Sequence, residues 1–191
     1  MAPQGHQNWP EIELVVQAQF GDFAAFDRLV ARYRPGAMVV ARQVLHCRDL
    51  AEDAVQDSFL AAYKALPQLG DPGLFAQWLG TIVRHRSVRL AQGAARRHLP
   101  LDDLILSHAP SIATAAESRY QDLVVRQAVS ELAEEIRGPV ELYYLQEWSV
   151  NQISSFLGLA ETTVKWRLHT ARTRLRPVLS ERLEEINESG D

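Results

Sequence analysis

Apolar residues recur at three- and four-residue intervals along most of the chain, and no stretch alternates in the manner of a strand. Ile12, Leu14, Val15 and Val16 predict a short helix over 11–20, and Gly21-Asp22 supplies a break and a new cap. Phe23, Phe26, Leu29, Val30 and Tyr33 mark the core side of a second helix. Pro35-Gly36 should interrupt or kink it before it resumes over 37–46. Asp49 is placed to cap a helix over 50–66, whose small side, Ala51, Ala54, Val55, Ser58 and Ala62, suits close packing. PQLGDPG, residues 67–73, reads as a loop. Leu74 to about Ala91 follows as a helix with Phe75, Trp78, Leu79, Ile82 and Val83 on one side, a spacing that assigns Trp78 to the core. Gly93, Pro100, Pro110 and scattered Ser, Thr and Ala mark 92–118 as a linker. Helical spacing returns from Arg119 through Leu123, Val124, Ala128, Leu132, Val140, Leu142, Tyr143 and Leu145, and Ser149 can cap the next helix at Val150. The ends read as a mobile tail over 1–10 and an acidic, fraying helix over 178–191. The expected fold is all-α: two small helical domains, 11–91 and 119–180, joined by a flexible linker.

Within the second domain, VNQISSFLGLAETTVKWRLHTARTRLRP holds two short helices about a glycine turn. Ile153, Phe156 and Leu157 give the first an apolar side, and Gly158 can take the left-handed conformation that ends it. Val164, Leu168, Ala171 and Leu175 form one stripe on the second, with Lys165, Arg167, Arg172, Arg174 and Arg176 expected opposite it. A helix, a tight turn and a basic second helix are the parts of a helix-turn-helix that docks in a DNA major groove.

The net charge of −4 at first argues against DNA binding. Its distribution does not. Arg84, Arg86, Arg89, Arg96 and Arg97 form an acid-free basic stretch, while acids gather at 11–27, at Asp49, Glu52, Asp53 and Asp57, and at 181–188. Local potential governs docking on phosphates. A single cysteine allows no disulfide framework and no thiolate zinc site within the chain. His46-Cys47 reads as a partly buried structural pair, not a metal site. No cofactor is expected. No phosphate-binding glycine loop and no nucleophile–base–acid set is evident, so no catalytic residues are assigned and the chain is not read as an enzyme. No apolar run reaches the length of a membrane helix, and the N-terminus has no secretory signal pattern, which points to a cytoplasmic protein.

GDFAAFDRLVARYRP, AEDAVQDSFLAAYKAL and FAQWLGTIVRHR together resemble the second conserved region of extracytoplasmic-function sigma factors, small initiation subunits of bacterial RNA polymerase. RGPVELYYLQEWSVNQISSFLGLAETTVKWRLHTARTRLR resembles their fourth region, in the family's order and across a linker. The resemblance implies that Asp53, Gln56 and Asp57, three and four apart on one helix face, meet a coiled coil of core polymerase; the plain alternative is a solvated acidic face. It places a pocket for an unstacked minus-ten base near Leu69, Asp71 and Phe75, with Arg84, His85, Arg86 and Arg89 along the strand. It places Thr162, Thr163, Lys165, Trp166, Arg167 and His169 on the minus-thirty-five duplex. An anti-sigma factor is a further implied partner; a small-molecule substrate and membrane insertion are not.

The sequence departs from the family pattern at several positions. His85 stands where asparagine is usual, and Arg89 and Gln92 where an acid and an arginine are usual, implying a different minus-ten preference. Gln152 replaces a glutamate, and Ala160 a capping serine, so the cap should pass to Glu161 or Thr162 or be lost. Asp102 and Asp103 in the linker fit either a plain tether or a mimic of nucleic-acid charge. Two rival classes remain: a stand-alone helix-turn-helix regulator, which would dimerise on a two-fold site without polymerase, and a protein-interaction adaptor, which would ignore promoter DNA even with core polymerase.

Overall fold

The computed structural model describes residues 11–96 and 124–188, with side chains over 11–94 and 124–180. The expected tail over 1–10, the linker beyond 96 with Asp102 and Asp103, Arg97, the helical start at Arg119 and residues 189–191 lie outside these. Among the described residues every regular element is helical. α1–α4 make one compact unit, and most of α5–α8 a second.

In the first unit, α1 (Glu11–Gln19) buries Leu14, Val15 and Ala18. Ile12, expected inside, is exposed. Gly21 turns the chain at φ 91°, and the Asp22 carboxylate accepts from the amides of Ala24 and Ala25 at 2.8 and 3.1 Å, starting α2 (Phe23–Leu45). Of the expected interruption or kink at Pro35, the interruption does not occur: α2 runs unbroken through it. The carbonyl that loses its partner there belongs to Ala31, which is exposed and can be hydrated. Buried Leu29, Tyr33, Ala37, Val40 and Ala41 keep both halves on one core. His46 closes α2 in the left-handed conformation and is exposed, while Cys47 is half-buried. Because Cys47 is already extended, α3 (Arg48–Ala65) starts two residues earlier than expected; Asp49 sits in its first turn and is not its cap. All five residues of the small side of α3 are buried, and Ser58 bonds back to the Ala54 carbonyl. That side admits α2 and α4 (Phe75–Arg96), which also pack on each other.

Phe23 is a correction. Its spacing suggests core, yet it is 70% exposed and stacks on Tyr63 with ring centroids 5.2 Å apart. Trp78 is another: Phe75, Leu79 and Val83 are fully buried, but Trp78 and Ile82 are only half-buried. At about 100° per residue the two lie toward the solvent edge of the stripe, on the side of His85 and Arg89.

In the second unit, α5 (described from 124 to 130) buries Val124 and Ala128, and α6 (Glu134–Val140) buries Ile136 and packs against α8. The helical pattern expected from 119 to 145 is divided by a turn at 131–133 and ends in a π-helical turn, Glu141–Leu145. Pro139 removes one backbone donor here, and the wide turn follows directly. Trp148 is buried, and its amide donates to the Leu142 carbonyl at 3.0 Å. α7 (Val150–Leu157), apart from its last three residues, and α8 (Glu161–Glu188) complete the unit. α8 is continuous through Pro177, so the acidic tail extends the second helix of the pair and is not a separate element.

Candidate nucleic-acid and protein interfaces

The start of α7 is a reciprocal cap. The Gln152 amide donates to the Ser149 hydroxyl at 3.2 Å, and the Ser149 amide donates to the Gln152 side-chain carbonyl at 2.9 Å. Gln152 therefore does the work of the glutamate it replaces. Gly158 (φ 65°) turns the chain, and Ser154 closes the turn by donating its hydroxyl to the Leu159 carbonyl at 2.6 Å. Ala160 opens α8 with backbone contacts only, its carbonyl accepting from Thr163 and Val164. Glu161 contributes differently: it accepts from Lys165 at 3.1 Å and from Asn151 at 3.4 Å. These hydrogen bonds, the Lys165 one first, hold its carboxyl below the usual glutamate range. A carboxylate in the first turn also suits the helix dipole.

Val164, Leu168 and Ala171 are buried and Leu175 half-buried, as the stripe requires. The basic residues do not form one opposite face. At about 100° per residue, Lys165, Arg172 and Arg176 lie on one flank of α8 and Arg167 and Arg174 on the other. Thr162, Trp166, His169 and Thr173 occupy the strip between them, directly opposite the core. Thr162 and His169 are exposed, Trp166 is 60% exposed, and Thr163 and Arg167 are half-buried.

In the first unit the expected loop contains two 3₁₀ turns, Leu66–Gln68 and Pro72–Leu74. The Gln19 side chain pins it to α1 by donating to the carbonyls of Leu66 and Leu69, at 3.1 and 2.7 Å. Asp71 is exposed, but its carboxylate accepts from the Gly73 amide at 2.8 Å and shapes the second turn. Leu69 is half-buried. Phe75, assigned to the base pocket, is wholly buried and meets Tyr33 edge-on at 5.4 Å, so it supports the loop and is not presented to a strand. The apolar side chain offered instead is Leu74, 52% exposed. Arg84, His85, Arg86 and Arg89 are all exposed on α4.

Asp53, Gln56 and Asp57 are exposed along one face of α3. The same face continues through exposed Leu60 to Tyr63 and across to Phe23. The acidic end was legible from spacing; the aromatic end was not, because Phe23 comes from another helix. A second feature was missed. Val125 and Val129 of α5, Leu145 of the π turn and Leu175 and Leu179 of α8 line an open apolar groove of about 650 Å³, edged by Arg172 and Arg176 and, from the strip of α8, by His169 and Thr173. Its wall depends on the π turn, which no periodicity announces. Among the described residues no group of three His, Cys, Asp or Glu could hold a metal, and no helix is long and apolar enough to cross a membrane.

Residues 29–97 match the family model for Sigma-70 region 2, and residues 122–175 that for Sigma-70, region 4. The chain is 34% identical to the ECF RNA polymerase sigma factor SigL of Mycobacterium tuberculosis over 134 residues, 69% of this chain and 75% of that protein. It is 29% identical to the ECF RNA polymerase sigma factor SigM of the same species, over 92% of this chain and 87% of that one. Among solved structures it is similar to CnrH in complex with the cytosolic domain of CnrY, with a TM-score of 0.54 and 25% identity over 90% of this chain and 97% of that one. It is also similar to the sigma factor RpoE of Bartonella quintana, in complex with the anti-sigma factor NepR, with a TM-score of 0.51 and 25% identity over 81% and 96%.

Proposed function

Because the chain belongs to the extracytoplasmic-function family of RNA polymerase sigma factors, we propose that it carries core polymerase to two-part promoters in the cytoplasm, through three separate faces. The observation that supports this division is the placement of exposed charge: acids on α3, bases on α4 and bases on both flanks of α8. Asp53, Gln56 and Asp57 pair with basic groups on the core enzyme, and Leu60, Tyr63 and Phe23 add apolar area beside them. The loop around Leu69, Asp71 and Leu74 receives a base of the opened minus-ten strand, while Arg84, His85, Arg86 and Arg89 hold its backbone. On α8, Thr162, Thr163, Trp166 and His169 face base edges of the minus-thirty-five duplex, and Lys165 and Arg167 face the two phosphate walls. The chain supplies position and electrostatics; phosphodiester chemistry belongs to the polymerase.

The groove between α5, the π turn and α8 accepts an amphipathic helix whose apolar side enters and whose acids meet Arg172 and Arg176. RpoE and CnrH are each bound to a partner protein in their solved complexes, and an anti-sigma factor is the inhibitory partner proposed for this chain.

The test is run-off transcription on a pooled genomic library of the organism that encodes the chain, with core polymerase alone as control. Starts that depend on the protein and share a two-part upstream sequence are expected. Folded protein that yields no new starts, yet binds a two-fold duplex as a dimer without polymerase, would replace this function with that of a stand-alone regulator.

A further inference from the structure

The strip of α8 opposite its buried stripe is apolar at its centre. Thr162, Trp166, His169 and Thr173 fall within about 60° of one another around the helix axis. Lys165 stands to one side and is tied to Glu161 at 3.1 Å; Arg167 and Arg174 stand to the other. A helix in the major groove turns its flanks to the phosphate walls and its central strip to base edges. No arginine or lysine lies on the central strip itself. What sits there is an indole, 60% exposed, on a helix whose core already has its apolar stripe. An exposed tryptophan contributes little to the fold that holds it.

The apolar group displayed in the major groove is the C5-methyl of thymine. We propose that Trp166 determines part of the upstream-element preference by packing its indole on thymine methyl groups, with Thr162 and His169 limiting its approach on either side. This rests on the docking of α8 at that element. It gives the chain a thymine-selective reader that makes no hydrogen bond through the selected group, so a hydrogen-bond inventory of the interface would not reveal it.

The test deletes only the methyl. Holoenzyme assembled from the full chain and core polymerase initiates on synthetic promoters whose upstream-element thymines are replaced, one position at a time, by deoxyuridine. Base pairing is unchanged. Initiation at subsaturating holoenzyme should fall about fourfold for each methyl that the indole covers fully. Trp166→Ala should initiate less well on thymine and show no difference between thymine and uracil at those positions. Trp166→Leu, which keeps apolar surface, should retain a reduced thymine preference, and its activity also shows that the site tolerates substitution. Two results would overturn the proposal: wild-type initiation indifferent to uracil at every position, or equal uracil sensitivity in wild type and Trp166→Ala. Both leave specific starts intact, so they leave the docking of α8 standing. Loss of all promoter-specific starts with the wild-type protein would remove the docking and the proposal together.

Discussion

The reciprocal cap at Ser149 and Gln152 should decide how firmly α7 is held, and its contribution can be worked from two distances. α7 has eight residues, too few to persist on helix propensity alone. Its first amides have no partner within the helix. The Ser149 hydroxyl takes one of them at 3.2 Å, and the Gln152 side chain takes the preceding Ser149 amide at 2.9 Å. Ser149→Ala removes an N-cap, at a cost of about 1 kcal/mol. Gln152→Ala frees one exposed amide to water and should cost about 0.5–1 kcal/mol. The two bonds share one backbone geometry, so the double variant should cost less than the sum. Amide hydrogen exchange followed by NMR reads this locally, without requiring the two units to unfold together. The Ser149 amide should exchange up to about fivefold faster in Gln152→Ala, and the Gln152 amide about fivefold faster in Ser149→Ala. Gln152→Glu should preserve both bonds and slow exchange slightly, because a carboxylate suits the helix N-terminus. Unchanged exchange at the Ser149 amide in Gln152→Ala would show that the side-chain bond contributes nothing, and that Gln152 is not an equivalent of glutamate here.

Three further outcomes follow from other parts of the molecule. Asp53→Arg with Asp57→Arg changes two exposed side chains, so the fold should persist while affinity for core polymerase drops on the order of tenfold or more; unaltered affinity in a pull-down titration would remove α3 from that interface. Leu145→Glu places a charge in the α5–α8 groove, should leave helicity by circular dichroism unchanged since Leu145 is 56% exposed, and should weaken capture of a helical partner; undiminished capture would empty the groove of its role. Burial pushes the Tyr33 hydroxyl well above its ordinary value near 10, and its hydrogen bond to Glu11 adds to the shift. Its contribution is thus complete below that ordinary value and is lost as pH rises past it, at up to about 1.4 kcal/mol per pH unit. Tyr33→Phe should show a shallower loss of stability in denaturant titrations above pH 10, and an identical slope would contradict the burial argument.

The all-α character and the helix-turn-helix were legible because a 3.6-residue period writes both directly. Val164, Leu168 and Ala171 line up without reference to any other element. The acidic face of α3 was legible for the same reason. Features that depend on two elements at once were not. Phe23 has the spacing of a core residue on α2, and only the nearness of Tyr63 on α3 shows that it stacks at the surface. Trp78 shares a stripe with Phe75 and Leu79 but lies at its edge, and sequence spacing resolves a side of a helix without resolving how far the neighbouring helix covers it. Helix starts failed where chemistry was locally degenerate. Asp49 is a plausible cap by composition, yet the extended residue is Cys47, set by the left-handed turn at His46.

The division of the basic residues of α8 shows why position around the axis matters more than their number. Five cations within twelve residues, 165–176, look like one face when counted along the chain. Around the axis they are two rows separated by a strip of Thr, Trp and His. A single basic face would hold DNA by charge and be indifferent to sequence, since phosphates repeat regardless of the bases. On the proposed docking, two rows astride a strip of Thr, Trp and His would do something else: each row would face one wall of the groove, and the strip would be held against the base edges. Affinity and selectivity would then come from different residues. Removing Arg167 should lower affinity on every upstream sequence alike, whereas removing Trp166 should flatten the differences between them.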